Sequence, residues 1–472
     1  MKTLMPFLRS TVSTVLLALA LTGCGRKTTP PGTLNEESPP PLRAATPDPL
    51  SLALAPHDGE GSVDKEIRGF QEQVRNAQNR KAALEQLGWA FVAKARGSFD
   101  TGFYKLAEAC ADVLDSDSAG CPEALLLRGH VFQNLHRFKE AESLARELVA
   151  KRGLSFDYGL LGDTLMEQGR IQEAVAAYQS MVDLRPDLQS YSRIAHVRWL
   201  TGDLEGAIEL MQAAVSASSP TDADSAAWVN HRLAGLKVQV GDTEAAKRYC
   251  EASLELRPDY PPAFLLRGKI LLAQDNSEAA IADLERAAQR NPLPEYQWAL
   301  AEALRAAGRE PEAQQVETRL RSHGAMSDPR TFSLYLATRG ENTALAVQLA
   351  ESELQQRKDV FTHDALAWAL AAAGRMEEAG TQMARRALAE GTGDARLFFH
   401  AAVIAARAGR TEDATKWFTK AAAMMDLLLP SEQDLLLQLP DSFARSDDET
   451  KADLPPSAAT ELSASALAAE GK

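Results

Sequence analysis

The segment LGDTLMEQGRIQEAVAAYQSMVDLRP, residues 161–186, decides the fold because its small residues mark a unit that recurs along the chain. Its central alanine belongs to a ladder of ten, with successive spacings of 34, 33, 33, 39, 34, 33, 33, 33 and 35 residues. The ladder consists of Ala107, Ala141, Ala174, Ala207, Ala246, Ala280, Ala313, Ala346, Ala379 and Ala414. Self-similarity over this period is typical of stacked helical hairpins, in which length grows without enlarging any single core.

Other residue types recur at fixed distances from these alanines, and we call each such set of equivalent positions a column. Twelve residues earlier, nine of ten positions are small: Ala95, Gly129, Gly162, Ala195, Ala234, Gly268, Ala301, Ala367 and Ala402, with Leu334 as the exception. Small residues there let the two helices of a hairpin approach closely. Five residues before the alanines stand seven glycines, Gly102, Gly169, Gly202, Gly241, Gly308, Gly374 and Gly409. Glycine there can end the first helix in a left-handed conformation.

Large side chains follow four residues after the alanines, as at Tyr178 and Leu284. We expect them to fill the cleft to the neighbouring hairpin, because residues four apart lie on one helix face. The first copy is ambiguous, since Gly88 also suits the small column but leaves seven extra residues before the ladder alanine.

The bulk composition agrees with an all-α chain. Of 472 residues, 45% are hydrophobic and only 6% aromatic, and alanine, leucine, glutamate and arginine favour helices over strands. The net charge of −14 argues against a nucleic-acid partner, because phosphate binding needs clustered Lys and Arg.

The repeated unit resembles the tetratricopeptide repeat, a helix-turn-helix unit of 34 residues. The best copy carries Leu161-Gly162, Leu165, Gly169, Ala174, Tyr178 and Pro186, and a second carries Leu266-Arg267-Gly268, Leu271, Ala280 and Pro292. The resemblance implies a right-handed α-solenoid of nine to ten hairpins over residues 82–425. We expect a helical lead-in over residues 61–81 and a C-terminal cap over 426–440.

The amino terminus has the pattern of an export signal. Lys2 and Arg9 precede a short apolar run over residues 11–21, too short to span a bilayer. Leu21-Thr22-Gly23-Cys24 resembles the bacterial lipoprotein lipobox, which implies cleavage after residue 23 and a lipid on Cys24. The alternative is an ordinary secretory signal with a chance cysteine. In Gram-negative sorting, Gly25 in place of aspartate implies an outer-membrane address.

Proline-rich and acidic stretches flank the predicted solenoid. Residues 24–60 hold eight of the 23 prolines and predict a disordered tether, in which residues 50–54 form an apolar linker patch. Residues 441–472 carry seven acidic against three basic residues and predict an acidic, disordered tail.

No enzyme motif stands out, and the assigned segments leave no room for a catalytic domain, so we predict a protein that is not an enzyme, with no cofactor and no metal. Cys250 lies in the large-residue column and suits a buried thiol. Cys110 and Cys121 are eleven residues apart, which in an oxidising envelope leaves either a disulfide or two free thiols.

The resemblance places the partner-binding face on the first helices, which line the inner groove in this family. Carried over by register, the candidate residues are His130, His196, Trp199, Trp228, His231, Lys269, Trp298, Arg305, Trp368 and Phe399. Aromatic side chains in a groove suit peptide capture. A slip of one residue in register would place most of the tryptophans in the hairpin core instead.

These observations favour a membrane-anchored scaffold of the bacterial envelope that binds a protein or peptide in its groove, in assembly or secretion machinery. One alternative is a sensory solenoid that stacks glycan or a small ligand on Trp199, Trp228 and Trp298. Another is an enzyme subunit with an unrecognised site.

Overall fold

The computed structural model describes residues 48–76 and 80–439. The predicted signal peptide, Cys24, most of the predicted tether and the acidic tail lie outside this described part. The described part is all-α, with 23 α-helices and no strand. None of these described helices is both long and apolar enough to cross a membrane.

Two helices precede the repeats: α1 (Pro49–Ala53) and α2 (Ser62–Asn76). Asp48 caps α1 by accepting from the backbone N–H of Ser51, and Ala53 is fully buried against the first repeat. Gln71 donates to the carbonyls of Ala53 and Ala55 at 3.1 and 3.0 Å. The predictions of a linker patch at residues 50–54 and of a tether as far as residue 60 are therefore wrong, because this segment packs on its neighbours.

Ten hairpins follow within the described residues, and we number them one to ten from the amino terminus. Their helices, taken in pairs from α3 and α4 to α21 and α22, are α3 (Lys81–Ser98), α4 (Gly102–Asp117), α5 (Pro122–Asn134), α6 (Phe138–Lys151), α7 (Ser155–Glu167), α8 (Ile171–Leu184), α9 (Leu188–Leu200), α10 (Leu204–Ser216), α11 (Ala223–Gln239), α12 (Thr243–Leu256), α13 (Pro261–Ala273), α14 (Ser277–Arg290), α15 (Pro294–Ala306), α16 (Glu310–Ser327), α17 (Pro329–Arg339), α18 (Thr343–Gln356), α19 (Val360–Ala372), α20 (Met376–Gln382), α21 (Ala395–Arg407) and α22 (Thr411–Ala422). A π-helical turn, Met383–Ala387, extends α20.

The ladder alanines lie on the second helices, and all ten are 0% exposed. The small column faces them across each hairpin. A Cβ atom on Gly162 would lie 2.3 Å from the ring of Tyr178, and one on Gly268 would lie 2.7 Å from Leu284. These two large residues therefore pack against the small position of their own hairpin.

The structure also resolves the register of the first hairpin. A Cβ on Gly88 would lie 2.2 Å from Leu127 and 3.3 Å from the Cβ of Cys110. Gly129 meets Leu160 and Leu144 in the same way in the next hairpin. Gly88 therefore holds the small position, and α3 runs about one and a half turns longer than most other first helices.

Six of the seven predicted turn glycines adopt a positive φ, between 70° and 86°. The exception is Gly102, which begins α4, while Phe99 takes the left-handed conformation in that hairpin. His136 and Asp275 occupy the same turn position in hairpins two and six with φ of 58° and 57°. The turn geometry is thus shared by nearly all copies, whichever residue supplies it.

Hairpins that are five to six repeats apart in the sequence contact each other. The Arg290 guanidinium of hairpin six donates to the carbonyl of Gly97 in hairpin one at 2.6 Å. The Lys358 backbone N–H, between hairpins eight and nine, donates to the carbonyl of Glu167 in hairpin three at 2.8 Å. The Thr392 hydroxyl donates to the carbonyl of Leu200 in hairpin four at 2.6 Å. Successive turns of the solenoid therefore touch each other.

After the last hairpin, the chain turns inward through a 3₁₀ turn, Met425–Leu427, and a final helix, α23 (Pro430–Leu437). Residues 425–439 form what we call the C-terminal segment. It packs against first helices of several hairpins, namely α13, α15 and α21. Leu428, Leu429 and Leu436 are buried in the core shared by the last hairpins. The region predicted as a C-terminal cap therefore lies against the first-helix face of the solenoid.

Candidate functional site

The C-terminal segment crosses the first helices from α21 to α13 and α15 in contact with them, and we call the surface formed by the first helices the inner face. The ten residues predicted to bind a partner all belong to first helices. The structure divides them into buried, paired and exposed groups.

Three of the predicted residues lie in the core. Trp298 and Trp368 are 1% exposed and Phe399 is 0% exposed. Trp368 stacks on His400 at 4.3 Å and donates its indole N–H to the hydroxyl of Thr338. The structure corrects the prediction for these three residues, since helices α15, α19 and α21 are enclosed on most of their surface and these side chains lie in the packed interior.

Trp199 belongs to the contact between turns of the solenoid. Its ring stacks on Phe361 of hairpin nine with centroids 5.7 Å apart, and its indole N–H donates to Gln239 at 2.8 Å. Only 8% of the residue is exposed. Trp199 therefore packs against another part of the same chain, at the contact between turns.

The three predicted histidines sit beside arginines. Burial, and next the charge of Arg232, lower the pKa of His196 and of His231 to about 3. Burial, and next Arg96, hold the pKa of His130 well below its ordinary value. These rings are neutral at pH 7 and can accept hydrogen bonds from the guanidinium groups. Among the described residues, no group of three or more His, Cys, Asp or Glu is placed to hold a metal ion.

The two predicted cations are already engaged. Lys269 lies 3.7 Å from a carboxylate oxygen of Glu295, and Arg305 contacts Glu317 and Glu310 at 2.8 and 3.2 Å. Trp228, by contrast, is 38% exposed. Of the five large aromatic residues in the predicted set, only Trp228 offers substantial surface to a partner.

Sequence reasoning missed the residues that hold the C-terminal segment. Glu302 accepts from the backbone N–H and the hydroxyl of Ser431 at 3.2 and 2.7 Å, and from the indole of Trp298 at 3.0 Å. Arg396 binds Glu432 through two hydrogen bonds of 2.6 and 3.3 Å. The Pro430-Ser431-Glu432 triplet signals the start of a helix, but nothing in it predicts where that helix docks.

The charged groups that contact the C-terminal segment also stabilise its docking on α15 and α21, a surface that we call the seat. Glu432 is fully buried, which alone would raise its pKa, yet Arg396 and the backbone N–H of Leu429 hold the pKa below its ordinary value. Burial raises the pKa of Glu302, although Ser431 and Trp298 oppose the rise by donating to the carboxylate. The Arg396 guanidinium also lies 5.3 Å from the centre of the Trp298 ring. The C-terminal segment is therefore held by specific polar contacts as well as by apolar packing.

Cys110, Cys121 and Cys250 are all free and buried. The Cys121 thiol is directed at the carbonyl of Leu114, 3.7 Å away, whereas Cys110 packs beside Gly88. The predicted alternative of a disulfide between Cys110 and Cys121 is not formed in this structure, because the two side chains point into different contacts.

A sequence profile of the tetratricopeptide repeat family matches residues 160–223, 231–293 and 265–325, which lie in hairpins three to seven. Over these residues, the chain is similar to the tetratricopeptide repeat. The repeats on either side of the matched stretches follow from the fold, since the fully buried alanine recurs in each hairpin. No curated protein matches this sequence.

The chain is also similar to several solved structures. A tetratricopeptide repeat protein from Parabacteroides merdae is 16% identical over 48% of this chain and 87% of its own, with a TM-score of 0.37. The pilF protein of Pseudomonas aeruginosa is 14% identical over 46% of this chain and 96% of its own, with a TM-score of 0.37. Yeast Tom70 is 12% identical over 82% of this chain and 94% of its own, with a TM-score of 0.34. At these identities no function transfers to the present chain.

Proposed function

We propose that this protein is a membrane-anchored, envelope-facing scaffold, and not an enzyme, whose inner face binds a peptide segment of a protein partner. The observation that carries the proposal is that this face already holds a peptide segment, residues 425–439 of the same chain. Repeats of this kind present a preformed surface, so a bound segment bears most of the ordering cost.

The seat of the C-terminal segment has the features of a peptide site. Leu428, Leu429 and Leu436 supply buried apolar anchors, and Glu302 and Arg396 bind a backbone N–H and a carboxylate. Apolar anchors with a few convergent polar contacts are the usual means of binding a short helix in a groove. A partner segment with leucines and one acidic residue at the same spacing would fit this seat.

A synthetic peptide of residues 425–439, carrying a fluorophore, tests whether this face accepts a peptide in trans. In the full chain with Glu432→Gln, the internal segment loses its charge pair with Arg396, so we expect the labelled peptide to bind at least ten times more tightly than to the unchanged chain. The loss of one partner from a buried ion pair is large enough for this effect.

Asp434→Asn is the matched control, because it removes one carboxylate from the exposed side of the same helix. It should leave peptide binding unchanged. If no variant binds the peptide, or if both variants change affinity equally, the inner face is not a peptide receptor of the kind proposed.

The membrane part of the proposal rests on the sequence around Cys24. A lipid on this cysteine would hold the protein on a bilayer, and the proline-rich residues after it would give the repeats reach. Where the source is Gram-negative, Gly25 favours the outer membrane facing the periplasm. The pathway in which such a scaffold fits best is envelope assembly or secretion.

Expression with Cys24→Ser tests the anchor. The unchanged protein should incorporate labelled palmitate and stay in the membrane fraction after salt washing, whereas the variant should do neither. A variant that remains in the salt-washed membrane fraction contradicts lipid attachment at this residue.

The glycan-binding alternative is less well supported. It relies on stacking sugar rings on three tryptophans, of which Trp298 is buried and Trp199 is stacked on Phe361. Only Trp228 presents substantial exposed surface. A peptide partner therefore accounts better for the inner face.

A further inference from the structure

A cavity of about 370 Å³ lies where two turns of the solenoid meet. Its walls come from hairpins three to five on one side and from the segments around α19 and the π-helical turn on the other. Apolar side chains, including Leu200, Val360 and Phe361, form part of the lining. This volume falls within the range of pockets that hold small molecules.

The lining is cationic although the whole chain carries a net charge of −14. The lining contains six basic residues and three carboxylates. The basic residues are Arg232, Arg330, Arg357, Lys358, Arg385 and Arg386. A cavity with one sign of charge between low-dielectric walls concentrates the field inside it. The cavity is therefore locally positive in a protein whose net charge is negative.

Some of these charges are neutralised within the fold. Arg357 contacts Glu167 at 2.7 Å and Asp359 at 3.4 Å, and Arg330 contacts Asp359 at 3.3 Å. These pairs account for two of the three carboxylates, and the Arg357–Glu167 pair joins the two turns of the solenoid.

Four of the lining cations have no such partner. In the part of the chain that the structure describes, no carboxylate forms an ion pair with Arg232, Lys358, Arg385 or Arg386. Lys358, Arg385 and Arg386 are exposed at the rim, so water screens them. The unpaired excess of positive charge thus extends from the rim to the interior.

Arg232 is the decisive member because it is partly buried in the wall of the cavity. Its guanidinium contacts Nδ1 of His196 at 3.2 Å and lies 5.8 Å from the ring of Trp199. Neither neighbour carries a negative charge. A guanidinium that is partly withdrawn from water without a counter-anion raises the free energy of the folded chain, and a bound anion would offset that desolvation cost.

His363 adds an unsatisfied polar atom to the same wall. Its Nδ1 is buried and has no hydrogen-bond partner, and the residue lines the cavity. A ligand oxygen or hydroxyl there would complete its hydrogen bonding.

We propose that this cavity binds a small polyanion, a molecule that carries two or more phosphate or carboxylate groups. Arg232 would contact one anionic group in the interior, and Arg385, Arg386 and Lys358 would contact another at the rim. Arginine suits this role because its planar fork of donors matches both phosphate and carboxylate oxygens. Because the walls belong to different turns of the solenoid, the bound anion would also fasten one turn to the next.

The site does not depend on the proposed peptide seat, which lies on α15 and α21. Calorimetric titration of the full chain with pyrophosphate and, separately, with citrate at 150 mM NaCl tests it. We expect saturable binding of at least one anion, with Arg232→Gln weakening it at least tenfold. Binding of pyrophosphate alone assigns a phosphate ligand, and binding of citrate alone assigns a carboxylate ligand.

Arg386→Gln gives a second test that does not threaten folding, because this residue is exposed, and it should weaken binding about threefold. Arg319→Gln removes the same charge from an exposed position on α16, away from the cavity lining, and should change nothing. The proposal is overturned if neither anion binds, or if Arg319→Gln weakens binding as much as Arg232→Gln and Arg386→Gln.

Discussion

Gly169 and Gly202 each meet two demands at the residue scale. Both adopt a positive φ at the turn inside a hairpin, of 72° and 86°. Both also lie against the next turn of the solenoid, where a Cβ on Gly169 would come within 2.4 Å of the Lys358 carbonyl oxygen, and one on Gly202 within 2.9 Å of the Gly391 carbonyl oxygen. Turn glycines elsewhere, such as Gly374, are required only for their positive φ, because nothing lies within 4 Å of a Cβ added there.

The difference can be measured with Gly169→Ala and Gly374→Ala. Gly374→Ala should lower the free energy of unfolding by about 1 kcal/mol, the cost of an L-residue in the left-handed region. Gly169→Ala should lower the free energy of unfolding by about 2 kcal/mol more than Gly374→Ala, because backbone atoms of another hairpin must move. Urea unfolding of the full chain measures both values. Equal losses would show that the contact between turns contributes nothing to stability.

At the scale of the element, α3 shows how one repeat departs from the others. Its extra length carries the chain to Gly97, whose carbonyl accepts from Arg290 of hairpin six. Phe99, just beyond the helix, lies under the same guanidinium at 5.8 Å. The insertion that obscured the register in the sequence therefore has a role, which is to reach the next turn of the solenoid.

Two glycines of α3 test this assignment. Gly88→Ala should lower the free energy of unfolding by roughly 1–3 kcal/mol, because its Cβ would overlap Leu127 in a packed core. Gly97→Ala should leave the free energy of unfolding unchanged or raise it by up to about 1 kcal/mol. Alanine has a higher helix propensity than glycine, and nothing lies within 4 Å of the added Cβ. Thermal unfolding of the two variants provides the comparison. If Gly88→Ala is tolerated as well as Gly97→Ala, Gly88 does not hold the small position of hairpin one and Ala95 takes its place.

At the scale of the whole molecule, the contact between turns buries ionisable groups that a single row of hairpins would leave in water. His196, Arg232 and Arg357 lie where hairpins three to five approach hairpins eight and nine. The pKa of His136, an exposed residue at a turn in hairpin two, is lowered by desolvation and next by the charges of Arg357 and Arg330 in the distant hairpins. Closure of the solenoid therefore couples its stability to pH.

We expect the free energy of unfolding to fall between pH 7 and pH 5. His196 and His231 have a pKa of about 3 in the folded chain. Their pKa is about 6.5 when unfolded, so in this window the unfolded chain binds more protons and acid favours it. Each histidine contributes at most about 2 kcal/mol to the fall over these two pH units.

Urea unfolding at pH 7 and pH 5 tests the expectation. His231→Gln should reduce the difference between the two pH values, and His323→Gln, which changes an exposed ring on α16, should leave it as in the unchanged chain. A pH dependence that is the same in all three proteins would contradict the assignment to His231.

The sequence by itself determined the helical hairpin, its approximate copy number and the columns that pack inside it. These features depend on contacts within a hairpin or between neighbours, and such contacts leave a period of about 34 residues in the chain. For Trp298, Trp368 and Phe399 the sequence could not separate groove from core, because a helix enclosed on most of its surface carries little amphipathic signal.

Only the tertiary structure decided what fills the inner face and where the turns meet. The bonds from Arg290 to Gly97 and from Thr392 to Leu200 join residues 193 and 192 positions apart. Whether such residues meet depends on small rotations between successive hairpins, which accumulate over five to six copies. The accumulated rotation cannot be deduced from any one column of the sequence. The docking of the C-terminal segment and the cationic cavity are therefore visible only in the tertiary structure.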